Sequence, residues 1–384
     1  MRAVARVNVA AIERNVARLR EPLAPGTALC AVVKADGYGH GAVQAARAAL
    51  AGGARWLAVV TAGEATALRR AGIDARLLVM GPLTDPELDE ALDAGAEVVA
   101  WEPAGIERLL ARGRPAAVHL KLDSGMGRLG QRDPDLARQL ADRIAGAAHL
   151  RLSGLMTHFA TADDRDDDFF DRQLERFATW VERVRADHPD VVVHAANSAA
   201  ILRDPASHFD LVRPGVAIYG MDPFGVDPDD QRLEPALEWR SRLVSIKPCD
   251  PGDSVGYGRR FVADRATRIG NVPVGYADGV RRGLTGRGAE VLVRGRRVPF
   301  AGTVSMDSIG IDLGPLADGR SVEEIDDAVT VLGRDGEQRI TAEELARLLD
   351  TINYEITCGI GPRVPRRYHR DGVPLGGVED DPGL

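Results

Sequence analysis

Residues 29–51 read LCAVVKADGYGHGAVQAARAALA, an apolar run followed by a lysine, a glycine-rich turn and an alanine-rich stretch. A short apolar run bounded by turn residues is typical of a strand buried on both faces, and apolar residues at helical spacing predict a helix behind it. One strand, one turn and one helix therefore form the unit from which the first part of the chain is built.

The same unit recurs over residues 1 to about 230, where eight apolar strands alternate with helical patterns. A closed parallel (β/α)8 barrel (a TIM barrel) has this order, because helices cover one face of each strand and the packed interior covers the other. An open, doubly wound sheet is the alternative, and it is less favoured because no GxGxxG turn follows any of the strands. The predicted strands are Leu29–Lys34, Trp56–Val60, Arg76–Met80, Glu97–Trp101, Ala117–Leu122, Leu152–Thr157, Val191–Ala195 and Leu211–Tyr219, and the predicted helices are Ala42–Ala51, Ala62–Ala71, Asp85–Ala94, Pro103–Ala111, Asp135–Ala145, Phe170–Ala186 and Ser198–Leu202.

After about residue 235, short strand-like runs are separated by glycine and proline. This pattern predicts a mostly β second domain with one clear helix, Ala342–Asp350. We place the barrel at 1–233 and the β domain at 234–384, and we expect the acidic segment 371–384 to be a flexible tail. The predicted strands of this domain are Arg242–Pro248, Arg268–Val274, Ala289–Val293, Val298–Ala301, Ser308–Leu313, Ala328–Leu332 and Tyr354–Cys358.

Length and composition exclude several classes of protein. A chain of 384 residues exceeds the ~250–300 residues at which single cores stop growing, so two domains are expected. Charged residues make up 28% of the chain and no apolar run approaches the ~20 residues of a membrane span, so no membrane association is expected. The net charge of −8, without a basic cluster, argues against nucleic acid as a partner.

The cysteines and the N-terminus support the same picture. Three widely spaced cysteines favour neither a disulfide framework nor a metal site. The first twenty residues have the pattern of an amphipathic helix and carry no export signal. We therefore expect a cytoplasmic protein that acts on a small molecule.

Lysine is rare in this chain. Of 49 basic residues only Lys34, Lys121 and Lys247 are lysine, and the rest are arginine. A codon bias toward arginine explains this wherever a positive charge suffices. Chemistry that needs a nucleophilic nitrogen cannot accept arginine, which is not deprotonated in proteins, so the remaining lysines are candidates for function.

Two of these lysines fall at the end of a barrel where active sites are built. Lys34 ends the first predicted strand and Lys121 lies near the end of the fifth, and the C-terminal ends of the strands carry the active site in barrels of this type. Lys34 is either a lysine whose stem reaches along an apolar surface to water, or an amine held partly desolvated so that its pKa falls and it forms a Schiff base.

A phosphate seat is predicted at the same end of the barrel. Asn197 and Ser198 follow the seventh strand, and Gly215 and Val216 follow the eighth. A hydroxyl and backbone N–H groups at these positions suit phosphate, although Ser198 by itself could be a simple helix cap. A Schiff-base lysine facing a phosphate seat suggests pyridoxal 5'-phosphate as the cofactor.

The chain resembles the alanine racemase family over essentially its whole length. The resemblance rests on the segments AVVKADGYGHG, HLKLDSGMGRLG, THFATAD, HAANSAA, VRPGVAIYG, VGYGRR, PVGYADGVRRG, VSMD and TINYEITCGIGPRVPRRY, in this order. It implies a pyridoxal-phosphate-dependent racemase of alanine with the barrel and β domain described above. It also implies a homodimer in which each active site is completed by the partner's β domain, and a supply of D-alanine for peptidoglycan.

The resemblance assigns two bases. Lys34 matches the Schiff-base lysine and Tyr257 matches a second base that comes from the other subunit. Racemisation needs both, because a proton is removed from one face of a planar carbanion and returned to the other. Lys34 would deprotonate the D-amino acid and Tyr257 the L-amino acid, and a tyrosine near its free pKa of ~10 needs help from its surroundings to act as a base.

Other residues are assigned by the same resemblance. Arg213 matches the partner of the pyridine nitrogen, and because an arginine keeps its proton, that nitrogen stays unprotonated and side reactions are suppressed. Lys121 matches a lysine that the family often carries as a carbamate, and a plain Lys121–Asp123 charge pair is the alternative. The remaining matches are His158 on the cofactor ring, Tyr38, Ser198, Gly215, Val216 and Tyr354 at the phosphate, Arg128 and the Met306 backbone at the substrate carboxylate beside Asp307, and Tyr276, Tyr354, Asp163 and Arg282 along the substrate access corridor.

The chain departs from the family pattern at a few positions. Thr303 and Ser305 stand where the family commonly has an arginine and a cysteine, so the strength of the substrate gate and the sensitivity to thiol reagents are open. Gly37 stands where alanine is usual. Lys247 matches no functional position and is expected to be a surface charge.

Three other functions compete with this one. A decarboxylase of basic amino acids shares the two domains and the lysine, but it characteristically places an acid on the pyridine nitrogen and uses a catalytic cysteine, against which Arg213 and Tyr257 argue. A racemase of broader specificity is a second alternative, although such relatives are usually exported. A non-catalytic cofactor-binding protein of the single-barrel type lacks a β domain and a second base.

Overall fold

A computed structural model describes residues 1–315 and 323–376 of the chain. The chain begins with strand β1 (Ala3–Asn8), which belongs to the second domain, and continues directly into helix α1 (Val9–Arg20). The eight strands that follow form the barrel: β2 (Ala28–Val32), β3 (Trp56–Val59), β4 (Arg76–Val79), β5 (Glu97–Ala100), β6 (Ala116–Lys121), β7 (Leu150–Met156), β8 (Val192–His194) and β9 (Leu211–Val212).

The strands pair in parallel around a nearly closed ring. The order is β8-β7-β6-β5-β4-β3-β2-β9, so β2 also pairs with β9 and consecutive strands are neighbours. Two backbone bonds, from Asp210 N to Val193 O (3.0 Å) and from Arg213 N to Ala196 O (2.8 Å), join the segments of β8 and β9. The predicted barrel is confirmed, and the open sheet is wrong.

Helices alternate with these strands and cover the outside of the barrel. Several start at the side-chain caps that their sequences offer, as at Thr61, whose hydroxyl accepts from Glu64 N while the Glu64 carboxylate accepts from Thr61 N. The helices after β2 are α2 (Lys34–Tyr38), α3 (Ala42–Ala51), α4 (Ala62–Arg70), α5 (Asp85–Asp93), α6 (Pro103–Arg112), α7 (Pro134–Ala145), α8 (Phe169–Arg185) and α9 (Ser198–Arg203).

The second domain is mostly β, as predicted. Its main sheet takes in β1 from the start of the chain, which pairs antiparallel with β10 and parallel with β20. Its elements are β10 (Leu237–Arg242), β11 (Ser245–Cys249), β12 (Ser254–Val255), β13 (Phe261–Val262), β14 (Thr267–Val272), β15 (Glu290–Val293), β16 (Arg296–Pro299), β17 (Ile309–Asp312), β18 (Ala328–Asp335), β19 (Gln338–Ile340), α10 (Ala342–Leu349), α11 (Asn353–Cys358), β20 (Arg366–Arg370) and β21 (Val373–Pro374).

One predicted strand of this domain is wrong. Residues 354–358 lie in helix α11, because its buried residues Asn353, Ile356 and Thr357 recur at helical spacing. The helix packs on the barrel, where Asn353 Nδ2 donates to Asp222 O (2.8 Å) and the carbonyl of Thr357 lies 2.2 Å from the position of a Cβ at Gly39. Only glycine at position 39 allows α11 to lie so close to α2.

The ends of the chain add two observations. Asp371 pairs with Arg14 (2.8 Å) and Val373–Pro374 pairs with β20, so the beginning of the segment expected to be mobile contacts the rest of the chain. Residues 377–384 of that segment lie outside the described residues. In the described ranges no helix has the length and apolar character that crossing a membrane requires.

Candidate active site

A cavity of about 500 Å³ opens at the C-terminal end of the barrel strands, where the active site was expected. Most of the predicted site residues line it. They are Lys34, Tyr38, Lys121, Arg128, His158, Asn197, Ser198, Arg213, Gly215, Val216 and Tyr354. The cavity therefore gathers side chains from segments that are far apart in sequence.

Lys34 opens a single turn of left-handed helix. Ala35, Asp36 and Gly37 have φ angles of 52°, 50° and 62°, and Tyr38 follows with 54°. Gly37 N donates to Val33 O and Gly39 N to Ala35 O, each at 3.0 Å. Left-handed backbone costs about 1–2 kcal/mol for each residue other than glycine, so the surroundings must hold this turn in place.

Two carboxylates and one imidazole hold the turn. Glu64 accepts from Ala35 N (2.7 Å) and Asp36 accepts from Ala42 N (2.8 Å). His40, which is buried, shares its Nδ1 with the carbonyls of Gly37 (3.1 Å) and Tyr38 (3.0 Å). Because the turn is tied on both sides, Lys34 and Tyr38 enter the same cavity, with the Lys34 amine 6.0 Å from the centre of the Tyr38 ring.

The surroundings of Lys34 make its amine a better nucleophile than that of a free lysine. Burial lowers the pKa of Lys34, and the nearby Arg128 lowers it further, against the opposing effect of Glu64. An amine with a lowered pKa spends more time unprotonated at neutral pH, which both nucleophilic attack and proton abstraction require.

Three groups form a small polar seat in the same cavity. Ser198 Oγ accepts from Gly215 N (3.0 Å) and from Ala217 N (3.3 Å), which leaves the Ser198 hydroxyl hydrogen free to donate. The Tyr38 hydroxyl oxygen lies 2.3 Å from the position of a Cβ at Gly215, so only glycine fits beneath it. The seat joins the two barrel loops from which a phosphate site was predicted.

Arg213 is a buried cation whose hydrogen-bond partners are all uncharged. It donates to Thr157 O (2.8 Å) and Ala195 O (3.0 Å) through Nη2 and to His194 Nδ1 (2.8 Å) through Nη1. Within residues 1–315 and 323–376 no carboxylate pairs with it. Burial lowers its pKa to about 10, so the guanidinium still carries its proton at neutral pH.

Behind Arg213 a chain of hydrogen bonds crosses the barrel interior. His194 Nε2 lies 2.7 Å from His119 Nδ1, and His119 Nε2 lies 3.0 Å from Glu97 Oε2. Burial tends to raise the pKa of Glu97, but hydrogen bonds from His119, Ser153 and the Arg76 guanidinium lower it to about 2. Burial also lowers the pKa of both imidazoles, so they are neutral.

Lys121 lies on the same side of the cavity as Arg128. Burial lowers the pKa of Lys121 to about 8, and the charges of Arg213 and Arg128 act in the same direction. The carboxylate of Asp123 instead accepts from the backbone of Gly125 and Gly127 and pairs with Arg132. A plain Lys121–Asp123 pair is therefore not formed at salt-bridge distance in the described structure.

Six predicted site residues do not line this cavity. The Tyr257 side chain is 75% exposed and stands on the surface of the β domain, and Met306 and Tyr276 are also exposed there. Asp307 pairs with Arg363 (2.8 Å), and Arg282 lies in the turn that follows Tyr276. Asp163, on the barrel, lies close enough to Tyr354 to act with burial in raising the pKa of that phenol.

The exposed residues of the β domain nevertheless form one connected surface. Tyr276 N donates to Ser305 O (3.0 Å), and Ala277 N donates to Met306 O (3.0 Å). Buried Asp278 ties this loop together by accepting from Gly275 N (2.9 Å). A single protomer thus carries one group of predicted site residues in the barrel mouth and a second group on the outside of the β domain.

Sequence reasoning missed several residues that position the site. Glu64, Glu97 and His119 support cavity side chains from behind, and Cys358 lines the cavity itself. Glu97 and His119 did carry a signal, because each is a titratable residue inside an otherwise apolar barrel strand. Buried titratable residues are rarely found without hydrogen-bond partners.

Comparisons with known proteins agree with this architecture. Residues 7–223 match the family model for the N-terminal domain of alanine racemase, and residues 236–368 match the model for its C-terminal domain. The alanine racemase of Halalkalibacterium halodurans is 42% identical over 374 residues, covering 95% of both chains. That of Thermobifida fusca is 43% identical over 382 residues, which cover 95% of this chain and 98% of the relative.

Solved structures lead to the same family. The alanine racemase from D-cycloserine-producing Streptomyces lavendulae superposes with a TM-score of 0.89 at 36% identity, and 98% of each chain is covered. That from Streptomyces coelicolor has a TM-score of 0.88 at 38% identity, covering 96% of this chain and 98% of the other. From fold, cavity and sequence together, the chain is a member of the alanine racemase family.

Proposed function

We propose that this protein interconverts L- and D-alanine with pyridoxal 5'-phosphate as cofactor and with Lys34 and Tyr257 as its two bases. The observation that carries the proposal is that Lys34, whose pKa is lowered, and the buried Arg213 line the same cavity at the barrel mouth. That combination supplies a nucleophilic amine and a cation that keeps its proton.

The cavity residues fit this cofactor. Lys34 would hold the aldehyde carbon through its amine, and the seat of Tyr38, Ser198 and Gly215 offers hydroxyls and backbone to a phosphate. Arg128 and Arg213 both face the cavity, so a phosphate dianion and a substrate carboxylate would be attracted to it. Among the residues that the structure describes, no group of three or more His, Cys, Asp or Glu side chains could hold a metal ion.

The chemistry that pyridoxal 5'-phosphate supplies when bound is electron withdrawal, which acidifies the α-C–H bond of an amino acid. Arg213 would donate to the ring nitrogen and keep it unprotonated, because its own pKa stays near 10. Its fixed hydrogen bonds to Thr157 O and Ala195 O orient the guanidinium for that contact. An unprotonated ring is a weaker electron sink, which favours return of the proton over side reactions.

Two bases on opposite faces would determine the stereochemistry. Lys34 Nζ would remove the α-proton of D-alanine, and in the reverse direction it would return the proton that forms D-alanine. The Tyr257 phenol would have the same two roles for L-alanine. Arg128 would pair with the substrate carboxylate, since no acid of the described residues occupies it. The half-buried His158 beside Arg213, whose pKa is lowered by burial and by the charge of Arg213, would contact the cofactor ring.

A homodimer would complete the site. Tyr257, Met306 and Tyr276 stand on an exposed face of the β domain, away from the cavity of their own chain. We infer that they enter the barrel mouth of the partner subunit, which would bring the second base opposite Lys34. The exposure of these side chains in one protomer supports this inference, because large apolar surfaces are usually covered in the functional assembly.

The experiment is to incubate the protein and pyridoxal 5'-phosphate with L-alanine in D2O and to resolve both enantiomers and their α-deuterium. We expect D-alanine that carries deuterium and an approach to equal amounts of both hands. Tyr257→Phe is the matched variant, since it keeps the ring and removes only the hydroxyl. Deuterium in L-alanine without inversion would mean that a base acts on one face of the α-carbon only and that the two-base assignment is wrong.

A further inference from the structure

Tyr257 stands on a loop that has little structure of its own. The loop joins the two-residue strands β12 and β13, and its residues Gly256, Gly258 and Arg259 have φ angles of 74°, 72° and 48°. Residues 256–260 are all exposed in the protomer. Glycine on both sides of a catalytic side chain gives its backbone freedom that something else must restrict.

The restriction comes from Thr303. Its Oγ1 donates to the peptide carbonyl of Tyr257 at 2.6 Å, the shortest kind of contact that a neutral hydroxyl makes. In the part of the chain that the structure describes, no other hydrogen bond joins residues 257–260 to residues outside the hairpin 254–262. The contact acts on the backbone of Tyr257 and leaves its phenol free to project outward.

Thr303 can act as an anchor because it is itself fixed. Its side chain is only 7% exposed, and the next residue, Val304, lies in the core with its N–H bound by Thr285 Oγ1 (3.1 Å). A β-branched side chain has few χ1 rotamers, so little freedom is lost when the hydroxyl points at the carbonyl. The anchor therefore stands on a buried segment between β16 and β17, and the residue that it holds stands on an exposed loop.

The backbones are also packed closely at this point. A Cβ at Gly256 would lie 3.2 Å from Thr303 N, and a Cβ at Gly302 would lie 2.5 Å from Val255 O. Glycines at 256 and 302 thus let the loop approach the sheet until the hydroxyl reaches the carbonyl. Thr303 is also a position at which this chain lacks the arginine common in the family, and its hydroxyl has a definite partner.

We propose that Thr303 is a positioning residue that holds Tyr257 in place for proton transfer, through the hydrogen bond from its hydroxyl to the Tyr257 carbonyl. This rests on the proposed function of Tyr257 as the base for L-alanine. Removal of the bond leaves the phenol chemically intact but lets its backbone drift, and misplacement of a reacting group by about 1 Å slows a reaction by roughly 100-fold. The effect falls on proton transfer at the L face, where Tyr257 acts as base in conversion to D-alanine and as acid in conversion to L-alanine.

The test uses the full-length holoenzyme and four variants. Thr303→Val removes the hydroxyl and keeps the shape, Thr303→Ala removes the bulk as well, and Thr303→Ser keeps the hydroxyl. Ser254→Ala is the matched control, because it removes a hydroxyl of the same hairpin that contacts Arg259 Nε (3.0 Å) and not Tyr257. Melting temperature and bound cofactor absorbance are recorded for each, so that misfolded protein is recognised.

The kinetic measurement is the primary isotope effect with L- and D-[α-2H]alanine. For Thr303→Val we expect kcat to fall roughly tenfold with little change in KM. This fall is smaller than the roughly 100-fold expected for a displacement of the phenol by about 1 Å. The isotope effect with L-alanine is expected to rise, because the Tyr257 step becomes more rate-limiting, while that with D-alanine does not. Thr303→Ser and Ser254→Ala are expected to stay within about twofold of the parent.

A second measurement needs neither cofactor nor turnover. Arg259 and Arg260 make the loop a trypsin site, and the rate of cleavage there, followed by mass spectrometry on the cofactor-free protein diluted until it is monomeric, reports how often the loop opens. Loss of a hydrogen bond worth about 1 kcal/mol predicts cleavage about fivefold faster in Thr303→Val and Thr303→Ala, and parental rates in Thr303→Ser.

The outcomes separate this inference from the proposed function. Parental cleavage and parental isotope effects in Thr303→Val overturn the anchor, and so does equal impairment of Thr303→Val and Thr303→Ser, which shows that the hydroxyl is not the group required. If the parent itself fails to racemise alanine, the proposed function is wrong, while the cleavage rates still decide whether Thr303 holds the loop.

Discussion

His119 and His194 meet inside the barrel, with 2.7 Å between Nδ1 of the first and Nε2 of the second. Arg213 Nη1 can only donate, so Nδ1 of His194 must accept and the hydrogen of His194 is on Nε2. His194 then donates to His119, and His119 donates from Nε2 to the carboxylate of Glu97. The tautomers of both imidazoles, and the orientation of Arg213, are therefore fixed by an acid at the opposite end of the barrel.

Glu97→Gln tests this chain of hydrogen bonds. The amide oxygen of glutamine can still accept from His119, but the charge that pairs with Arg76 is lost. The amide N–H₂ group also faces groups that donate hydrogen bonds to Glu97. We therefore expect the free energy of unfolding to fall by about 1–3 kcal/mol. Urea unfolding of the cofactor-free protein measures this. Glu107→Gln, which removes a carboxylate from an exposed pair with Arg143, is the control and is expected to change stability by less than about 1 kcal/mol. Equal losses in both variants would mean that Glu97 is an ordinary surface acid.

Hybrid dimers test whether the active site is shared. Lys34→Arg and Tyr257→Phe should each abolish most racemisation, because arginine cannot act as the nucleophile and phenylalanine cannot act as the base. When the two inactive proteins are mixed and allowed to exchange subunits, one site of each hybrid contains both Lys34 and Tyr257. Random exchange gives half hybrids with one intact site of two, so activity should return to roughly a quarter of that of the parent. If both residues act within one subunit, no activity returns.

The barrel was predictable because each strand is a short apolar run between turn residues, and the parallel order then places strand ends together. Lys34, Ser198 and Gly215 were found by that rule alone, since position relative to a strand end needs no knowledge of register. The contact of His119 with Glu97 depends on which residues of neighbouring strands lie side by side, and sequence patterns do not specify it. The left-handed turn after Lys34 was also not predicted, because Glu64 stabilises it from the start of helix α4.

Gly37 illustrates how this turn depends on its residues. At φ 62° glycine is unstrained, whereas a Cβ at this position would lie 3.2 Å from Ala45 Cβ and 3.3 Å from Ala42 N. Gly37→Ala, the residue usual in the family, should therefore lower the free energy of unfolding by about 1 kcal/mol, measured in urea. Gly63→Ala is the matched control, because Gly63 lies in helix α4 with open space at its Cβ, and this change should raise stability by up to about 1 kcal/mol. Stabilisation by Gly37→Ala would show that the turn already tolerates a side chain.

Lys121 is expected to carry a carbamate. With a pKa lowered to about 8 by burial, a useful fraction of its amine is unprotonated at neutral pH and can react with carbon dioxide, which would place an anion beside Arg128. Protein exchanged into 13C-bicarbonate should show a carbamate carbon signal in its NMR spectrum. Lys121→Ala should lose this signal and much of its activity, and a small carboxylate added to the buffer should restore part of the activity. Lys247→Ala, which removes a lysine of strand β11 remote from the cavity, is the control and should keep both.

His40 is expected to make the fold sensitive to acid. Burial lowers the pKa of His40 to about 4, against the opposing effect of its bonds to Tyr38 O and Gly37 O, while an unfolded chain has a histidine pKa near 6.5. The neutral imidazole therefore contributes its full stability above pH 6.5, and that contribution is lost as the pH falls from 6.5 through 4, by up to about 1.4 kcal/mol for each pH unit.

The variant His40→Asn isolates this contribution. Its amide nitrogen takes the place of Nδ1 as donor to the two carbonyls, but it does not titrate, and it loses the stacking of His40 on Tyr219, whose ring centre is 4.5 Å away. At pH 8 we expect the variant to be less stable than the parent by about 1–2 kcal/mol. Between pH 6.5 and 4 the parent should lose stability faster by up to about 3 kcal/mol in total, so that the two curves of unfolding free energy meet and then cross. A difference that stays constant over this range would mean that His40 is not buried in its neutral form, and that the left-handed turn is held at acidic pH by Glu64 and Asp36 without it.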